Sequence, residues 1–502
     1  MALRKSLATD KRGGLFIMTY LVILVLLTMG AAFAAYSTNE GRIAERQKRI
    51  VKAFHIAEAG IERAIYDLRE DYTSDPTAPG WYDGDINGIA FTPTTSYVTF
   101  PYSSTTMNGG SYSVEFRSGG ANTEMWVRST GTLGDQTQAI LVYLDMKRIS
   151  PWDNAIFAGA GAAGAMVNGN VDIRGSVHIL GENLTSANYA IDLGGTAELV
   201  GNNYSGLASS LEAKVPALDQ VLYNSELVET LHAELRVKNG LVGLSGSAVV
   251  GEVNLAGNSE KETVDAVYVT HGFGGSQGIA NVHSDNGWSN AYDLGDAVEF
   301  PSLSDPSPQD PTKSVQEYIK SVAYIPTAVE EALLANITPA SNFSIGNANG
   351  SISFDGAGNM TVNGVIYLDN GVSLNMNKTG SNKTITYTGN GSIFATGNIA
   401  VNTDLITSGN ASFPNSIVGL MTPNAISMNE AGIDVMGLFY AETQVTVQKQ
   451  TDVVGTIVSN YFDMGTNVPS IFQVPETANN LPPGMISGTP IYVMRIISWQ
   501  KI

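Results

Sequence analysis

From Gly13 to Asn39 the chain carries no charged residue. Within it Leu15 to Leu27 is apolar apart from Thr19 and Tyr20, and Thr28-Met29-Gly30 leads into an Ala-rich run ending at Ala35. A helix rises about 1.5 Å per residue, so roughly 20 such residues cross a hydrocarbon core of about 30 Å. In lipid every backbone N–H and C=O needs an internal partner, which leaves a single spanning segment only the α-helix. Leu15, Phe16, Leu21, Leu24 and Leu27 are the main lipid-facing candidates.

The flanks narrow the reading. A short basic leader, Met1 to Gly14, carries Arg4, Lys5, Lys11 and Arg12 against the single acid Asp10. Beyond the apolar core, Ile43, Ile50, Phe54, Ala57, Ile61, Ile65 and Leu68 recur at steps of three, four or seven, one apolar stripe on a continuing helix. Pro is absent before Pro76. One helix over 15–70 is expected, on the order of 80 Å long.

Three features together carry a resemblance: the leader ending Lys11-Arg12-Gly13-Gly14, the apolar helix, and the run Ala53-Phe54-x-x-Ala57-Glu58-Ala59-Gly60-Ile61. They resemble the PilX-type amino-terminal region of type IV minor pilins over residues 10–70 and are silent on the rest. The resemblance implies cleavage by a prepilin peptidase after Gly14, a mature chain beginning at Leu15, and methylation of the new amine. Main pilins carry Glu at the fifth mature position; here that position is Thr19. The family's Glu is thought to neutralise the preceding subunit's terminal amine, so Thr19 suits a subunit with none ahead of it, at or near a filament tip. Implied partners are other minor and major pilins, the peptidase, the inner-membrane assembly platform, and a tip adhesin or surface glycan. The implied location is the inner membrane, single-pass with the bulk outside the cytoplasm, and the cell surface once in a filament. Two other readings of the stretch exist: a secretory signal, with Ala31–Ala35 as a small-residue cleavage site, and a plain signal anchor. The apolar core exceeds the usual signal length, and the Ala-Glu-Ala-Gly run favours the pilin reading.

Charge divides the chain unevenly. Residues 1–52 hold nine Lys/Arg and three Asp/Glu, while 53–502 hold 18 and 44, a net of −26. Such an exterior disfavours nucleic acid and stays soluble. The chain has no cysteine, which removes disulfides, thiolate metal sites and thiol nucleophiles. Arg42, Arg46, Lys48, Arg49 and Lys52 crowd the far flank of the apolar helix, so the positive-inside rule alone leaves topology open; the short leader and the pilin resemblance place the amino terminus inside.

Past the helix, Pro76, Pro79, Gly80 and Gly84 mark a loop. Alternating strands at 112–117, 125–131 and 138–144, the last two turning at Gly134-Asp135, predict a small antiparallel sheet over 71–150 that covers the stripe. From Pro151 the text shifts to short strands broken by Gly and Asn, clearest from Ile352 and Phe354 through Tyr387 to Val401. Short strands with tight turns predict an irregular parallel β-solenoid, with a β-sandwich as the competing architecture. Two helical insertions are expected, one on Leu218, Leu222, Val228, Leu231 and Leu235, the other over 313–336. The chain is therefore read as α+β and predominantly β: leader 1–14, transmembrane and assembly helix 15–70, pilin-like sheet 71–150, solenoid-like region 151–335, and a second solenoid region 336–502 closed by the apolar strand around 491–499.

Chemistry finds little support. His55, His178, His232, His271 and His283 are scattered, and no HExxH or GxxxxGK[ST] pattern occurs. A polysaccharide lyase needs a basic proton acceptor, and between Pro339 and Met494 stand only Lys378, Lys383 and Lys449. Asp355, Asp369, Asp404 and Asp434 leave paired-carboxylate hydrolysis open. Asp285, Asp293 and Asp296 are a weak calcium candidate without EF-hand spacing. The expectation is a non-enzymatic minor pilin or pseudopilin with no cofactor. The alternatives are a membrane-anchored surface binding protein outside any filament and an envelope polysaccharide-cleaving enzyme.

Overall fold

The structure, a computed structural model, describes residues 11–74, 80–162, 171–447, 449–464, 469–486 and 491–502. It forms two compact units: Met1–Arg148 with Tyr492–Ile502, and Ile149–Ile491 between them in sequence.

In the first unit a single helix, α1 (Lys11–Ser74), runs 64 residues, about 95 Å. Nothing in it breaks the ladder: it holds no Pro, and Gly30 and Gly41 face open space. Its outer half packs on an antiparallel sheet of β1 (Val98–Thr99), β2 (Gly110–Ser118), β3 (Glu124–Leu133) and β4 (Gln136–Ile149), in that order. β3 and β4 join through the expected two-residue turn, Gly134 taking φ +60°. Ala57, Ile61, Ala64 and Leu68 bury against Val114, Phe116, Val127 and Val142. Each large apolar side chain so buried contributes about 1.5–3 kcal/mol, which is why the stripe, not helix propensity, fixes this half of α1.

The carboxy-terminal strand Ile491–Lys501 does not close the large β region as expected. It lies beside β4 in the first unit's sheet. The Ile502 N–H donates to the Ala139 carbonyl at 3.0 Å and Arg495 pairs with Asp145, so the strand runs antiparallel to β4. Tyr492 packs tilted against Tyr72 and Trp499 edge-on against Phe54, at 5.1 and 6.0 Å between ring centroids. An apolar strand announces itself in sequence, but not which sheet edge it joins; β4 offered a bare edge and α1 an aromatic surface to cover.

Among the described residues the second unit is built on a twenty-stranded mixed sheet. Its strands include β5 (Ile156–Ala162), β6 (Asp172–Arg174), β7 (Val177–Ile179), β8 (Glu198–Gly201), β9 (Glu234–Val237) and β10 (Ala266–Val269). The later ones include β11 (Asn359–Leu368), β12 (Asn390–Ala395), β13 (Asp404–Thr407), β14 (Ile417–Thr422), β15 (Ile433–Thr446), β16 (Thr451–Asp463) and β17 (Ser470–Phe472). One uninterrupted parallel series reads β10–β9–β7–β5–β16–β15–β14–β12–β11. Antiparallel pairing enters at the segment Asn342–Asp355, whose second strand adds to β11. The chain thus enters mid-series at β5, builds outward to β10, crosses over, and returns from β11 to β16, which pairs with β5. Residues 149–491 form one unit, which among the described residues also holds a three-stranded parallel sheet of Tyr189–Leu193, Leu241–Leu244 and Phe273–Gly274.

Most strand positions read from the sequence are core: Ile352, Phe354, Tyr367, Leu374, Tyr387 and Val401 are all buried. Two short helices, α2 (Val315–Val322) and α3 (Ala328–Leu334), sit in the expected insertion, each opened by a capping box, Ser314 with Glu317 and Thr327 with Glu330. The other expected insertion is a hairpin, Asp219–Tyr223 paired with Glu226–Thr230. Leucine spacing there mimics a helix, but Asn224 and Ser225 take φ +48° and +70° and form a two-residue turn that only a hairpin uses.

Because β4 and the carboxy-terminal strand run antiparallel side by side, residues 149–491 occupy what would otherwise be one hairpin connection. Replacing 149–491 by a short Gly-Asn turn is expected to leave the first unit folded, checked by retained tryptophan burial and cooperative melting in detergent; loss of the sheet would contradict the topology.

Candidate functional site

The amino-terminal half of α1 is the surface that the chain itself leaves uncovered. Leu15, Phe16, Leu21, Leu24 and Leu27 are 70, 74, 57, 51 and 66 % exposed, and the apolar window of the helix has no buried residue. Leaving a dozen such side chains in water forfeits on the order of 20 kcal/mol, more than the ~5–15 kcal/mol that holds a typical domain together. This half needs lipid or other helices around it. Its hydroxyls are already adapted to that: Thr19 donates to the Leu15 carbonyl at 2.9 Å, Thr28 to Val25 at 2.8 Å and Thr38 to Ala34 at 2.7 Å. Thr19 is therefore self-satisfied where a carboxylate would demand a partner. Gly14 and Leu15 lie within the helix; residues 1–10 of the leader fall outside the described residues.

The run 53–60 is where the helix meets the sheet. A Cβ on Gly131 would lie 2.2 Å from the Ala53 carbonyl oxygen and 2.5 Å from the Ala57 nitrogen, and one on Gly60 2.2 Å from Ser129 Oγ. Helix and β3 backbones are in direct apposition, and only Ala, Gly and Ser admit it. Phe54 packs edge-on to Trp499, Ala59 is half-buried, and Glu58 turns outward to His55, Oε2 to Nδ1 2.6 Å. On the basic flank Arg49 pairs with Asp135 at 3.3 Å and Arg46 reaches Gln136 at 3.5 Å, clamping the β3–β4 turn.

The residues singled out for chemistry are spent on structure. Asp285 holds Lys261 at 2.7 Å, Asp293 accepts both Nε and Nη2 of Arg236, and Asp296 pairs with Lys238 at 2.9 Å. The three carboxylates thus go to three different cations, and no cluster with metal-ligand geometry occurs among the described residues. His178 is buried against Tyr292 (2.8 Å), and burial pushes its pKa well down. His232 bonds Asp265 and His271 accepts from the Gly240 N–H. Lys378 is paired with Glu430, Lys383 with Asp404 and Asp369 with Lys320.

One arrangement escaped the sequence reading. Strand register aligns Asp404, Asp434, Asp452, Ser470, Asp172 and Glu198 on six consecutive parallel strands, β13, β15, β16, β17, β6 and β8. Adjacent strands lie about 4.8 Å apart, so five carboxylates form a column relieved by Lys383 at 3.3 Å from Asp404 and Arg174 at 2.6 Å from Glu198. Burial, reinforced by acidic neighbours, raises the carboxyls of Asp172, Asp434, Asp452 and Glu198. No local motif marks such a column, because its members are distant in sequence. Raised carboxyls stabilise fully below their unfolded values near 4 and lose that contribution as pH climbs through the folded values. At Asp265 burial is outweighed by bonds from His232, Lys261 and Asn202, and its carboxyl lies at about 2, acting only at more acid pH. The Glu198 carboxyl is pushed up to about 8 by burial, so the second unit is expected to melt higher at about pH 5.5 than at about pH 8, and Glu198→Gln to narrow the difference. Differential scanning calorimetry checks this; a midpoint that rises with pH contradicts it.

Among solved structures the chain is similar to the competence-associated pilin ComZ from Thermus thermophilus. The TM-score is 0.50 at 18 % identity, with 90 % of this chain and 97 % of that chain covered. At this identity the likeness is one of fold alone. No family model matches the chain, and no curated protein does.

Proposed function

We propose that this protein is a non-enzymatic minor pilin or pseudopilin, anchored in a membrane through the first half of α1 and built through the same surface into a type IV pilus-like filament. The observation that carries the reading is the division of one unbroken helix. One face of residues 53–72 is buried under the sheet, and residues 15–36 are left bare. A membrane anchor alone needs no rigid continuation. A filament subunit does, because its packed half fixes the angle at which the bare half enters a helical bundle. The pilin-like fold agrees with this.

The finer features follow from the resemblance at residues 10–70. A prepilin peptidase removes the leader after Gly14, Leu15 becomes the methylated mature terminus, and the inner-membrane platform passes the subunit into the filament beside other pilins. Thr19, bonded within its own helix, offers no charge to a preceding subunit, which suits a position at or near the tip. We read the parallel strand series as the coils of an irregular β-solenoid, displayed as a head for assembly or for adhesion to a glycan or partner adhesin. Its charge of 10 Lys/Arg against 32 Asp/Glu, net −22, keeps it soluble; the first unit holds 17 against 15.

Amino-terminal sequencing of the mature protein is expected to begin at Leu15, and a Gly14→Val variant to remain unprocessed in the membrane. A start near Tyr36 would mean signal-peptidase cleavage and a protein without the bare helix.

A further inference from the structure

The second unit holds a cleft of about 350 Å³ between α2, the loop 301–309 and the loop 482–486, at the small end of the ~300–1,000 Å³ range of ligand sites. Its floor is apolar and mostly buried: Ile319, Val322, Val365 and Met485. Pro301, Pro306, Pro308 and Pro483 form its walls.

Those walls are fixed. The Val315 N–H donates to the Asp305 carbonyl at 2.9 Å, the Ser307 N–H to that of Lys313 at 2.9 Å, and the Tyr440 hydroxyl to that of Pro301 at 2.7 Å. Opposite them, the Trp152 Nε1–H donates to the Ile486 carbonyl at 2.7 Å and the Ser392 hydroxyl to that of Pro483. Gly484 sits at φ +78°, where a Cβ would strike Val365 at 2.8 Å. A cleft with pinned loops and four fixed proline φ angles pays no ordering cost when filled.

The polar groups at the rim indicate what fills it. The lining includes one ionised side chain, the exposed Asp305, and no Lys or Arg. Lys313 is taken by Asp310 and Lys320 by Asp369. In a unit of net charge −22 this rim repels phosphates and acidic sugars and favours a cation. Gln309 and Asn349 add side-chain amides, matched to a peptide's N–H and C=O groups.

We infer that this cleft is a docking site for a polypeptide segment that inserts one aromatic or branched aliphatic side chain and places an adjacent Lys or Arg against Asp305. The site does not depend on whether α1 is built into a filament, so the two readings fail separately.

The test pans phage-displayed random heptapeptides on the full chain in detergent and measures the recovered peptides by fluorescence anisotropy. Recovered sequences are expected to share an apolar residue beside Lys or Arg. Val322→Trp, which fills the cleft, is expected to weaken them about tenfold or more. Asp305→Asn, which keeps an acceptor for the Ser302 N–H that Oδ2 holds at 2.7 Å, is expected to weaken them severalfold and to flatten their salt dependence. Recovery of acidic motifs, of no shared motif, or of peptides that bind both variants like the unaltered chain would overturn the assignment.

Discussion

The direct contact between the backbones of α1 and β3 is the constraint on which the first unit rests. Gly131 and Ser129 on the strand face Ala53, Ala57 and Gly60 on the helix, with no room for a larger side chain at either glycine. Close packing of this kind sets the helix on the sheet within a few tenths of an ångström, because any slip brings carbonyl oxygen against Cβ. The larger side chains of the stripe, Ile61 and Leu68, then find their pockets among Val114, Phe116 and Val127. The bare half of α1 inherits its direction from that seam, since no proline or kink intervenes.

The same seam explains why the run Ala53-Phe54-x-x-Ala57-Glu58-Ala59-Gly60 reads so distinctly. Its small residues are a packing requirement, its Phe an anchor for Trp499, and its Glu a surface charge. The carboxy-terminal strand completes the arrangement by covering β4 and supplying that Trp. The first unit is therefore assembled from segments on both sides of residues 149–491, and the second grows from a single connection between adjacent strands.

Much of this was legible in the helical periodicity of residues 13 to 70 and in the two-residue Gly134-Asp135 turn, both of which act over short range. The strands around 350–409 were legible too, because alternation of Ile352, Phe354, Met360 and Val362 is local; that the first two pair antiparallel with the last two was not. What the residues did not disclose is long-range pairing. The strand 491–501 carries no mark of β4, β16 gives no sign of stacking on β5 some 300 residues earlier, and the acidic column from Asp404 to Glu198 exists only in register. The hairpin at 219–230 was missed for the opposite reason: leucines at steps of three and four outvoted Asn224-Ser225, whose left-handed backbone decides the matter. The cleft beside α2 joins loops separated by about 180 residues and has no sequence trace beyond its prolines.

The central claim is that the bare helix assembles into a filament while the large acidic unit is displayed at or near its end. Immunogold labelling of residues 149–491 on isolated pili tests it most directly. The account predicts gold confined to filament ends, one cluster per filament. Labelling spaced evenly along the shaft would contradict the tip position, and gold on membranes with none on filaments would contradict assembly itself.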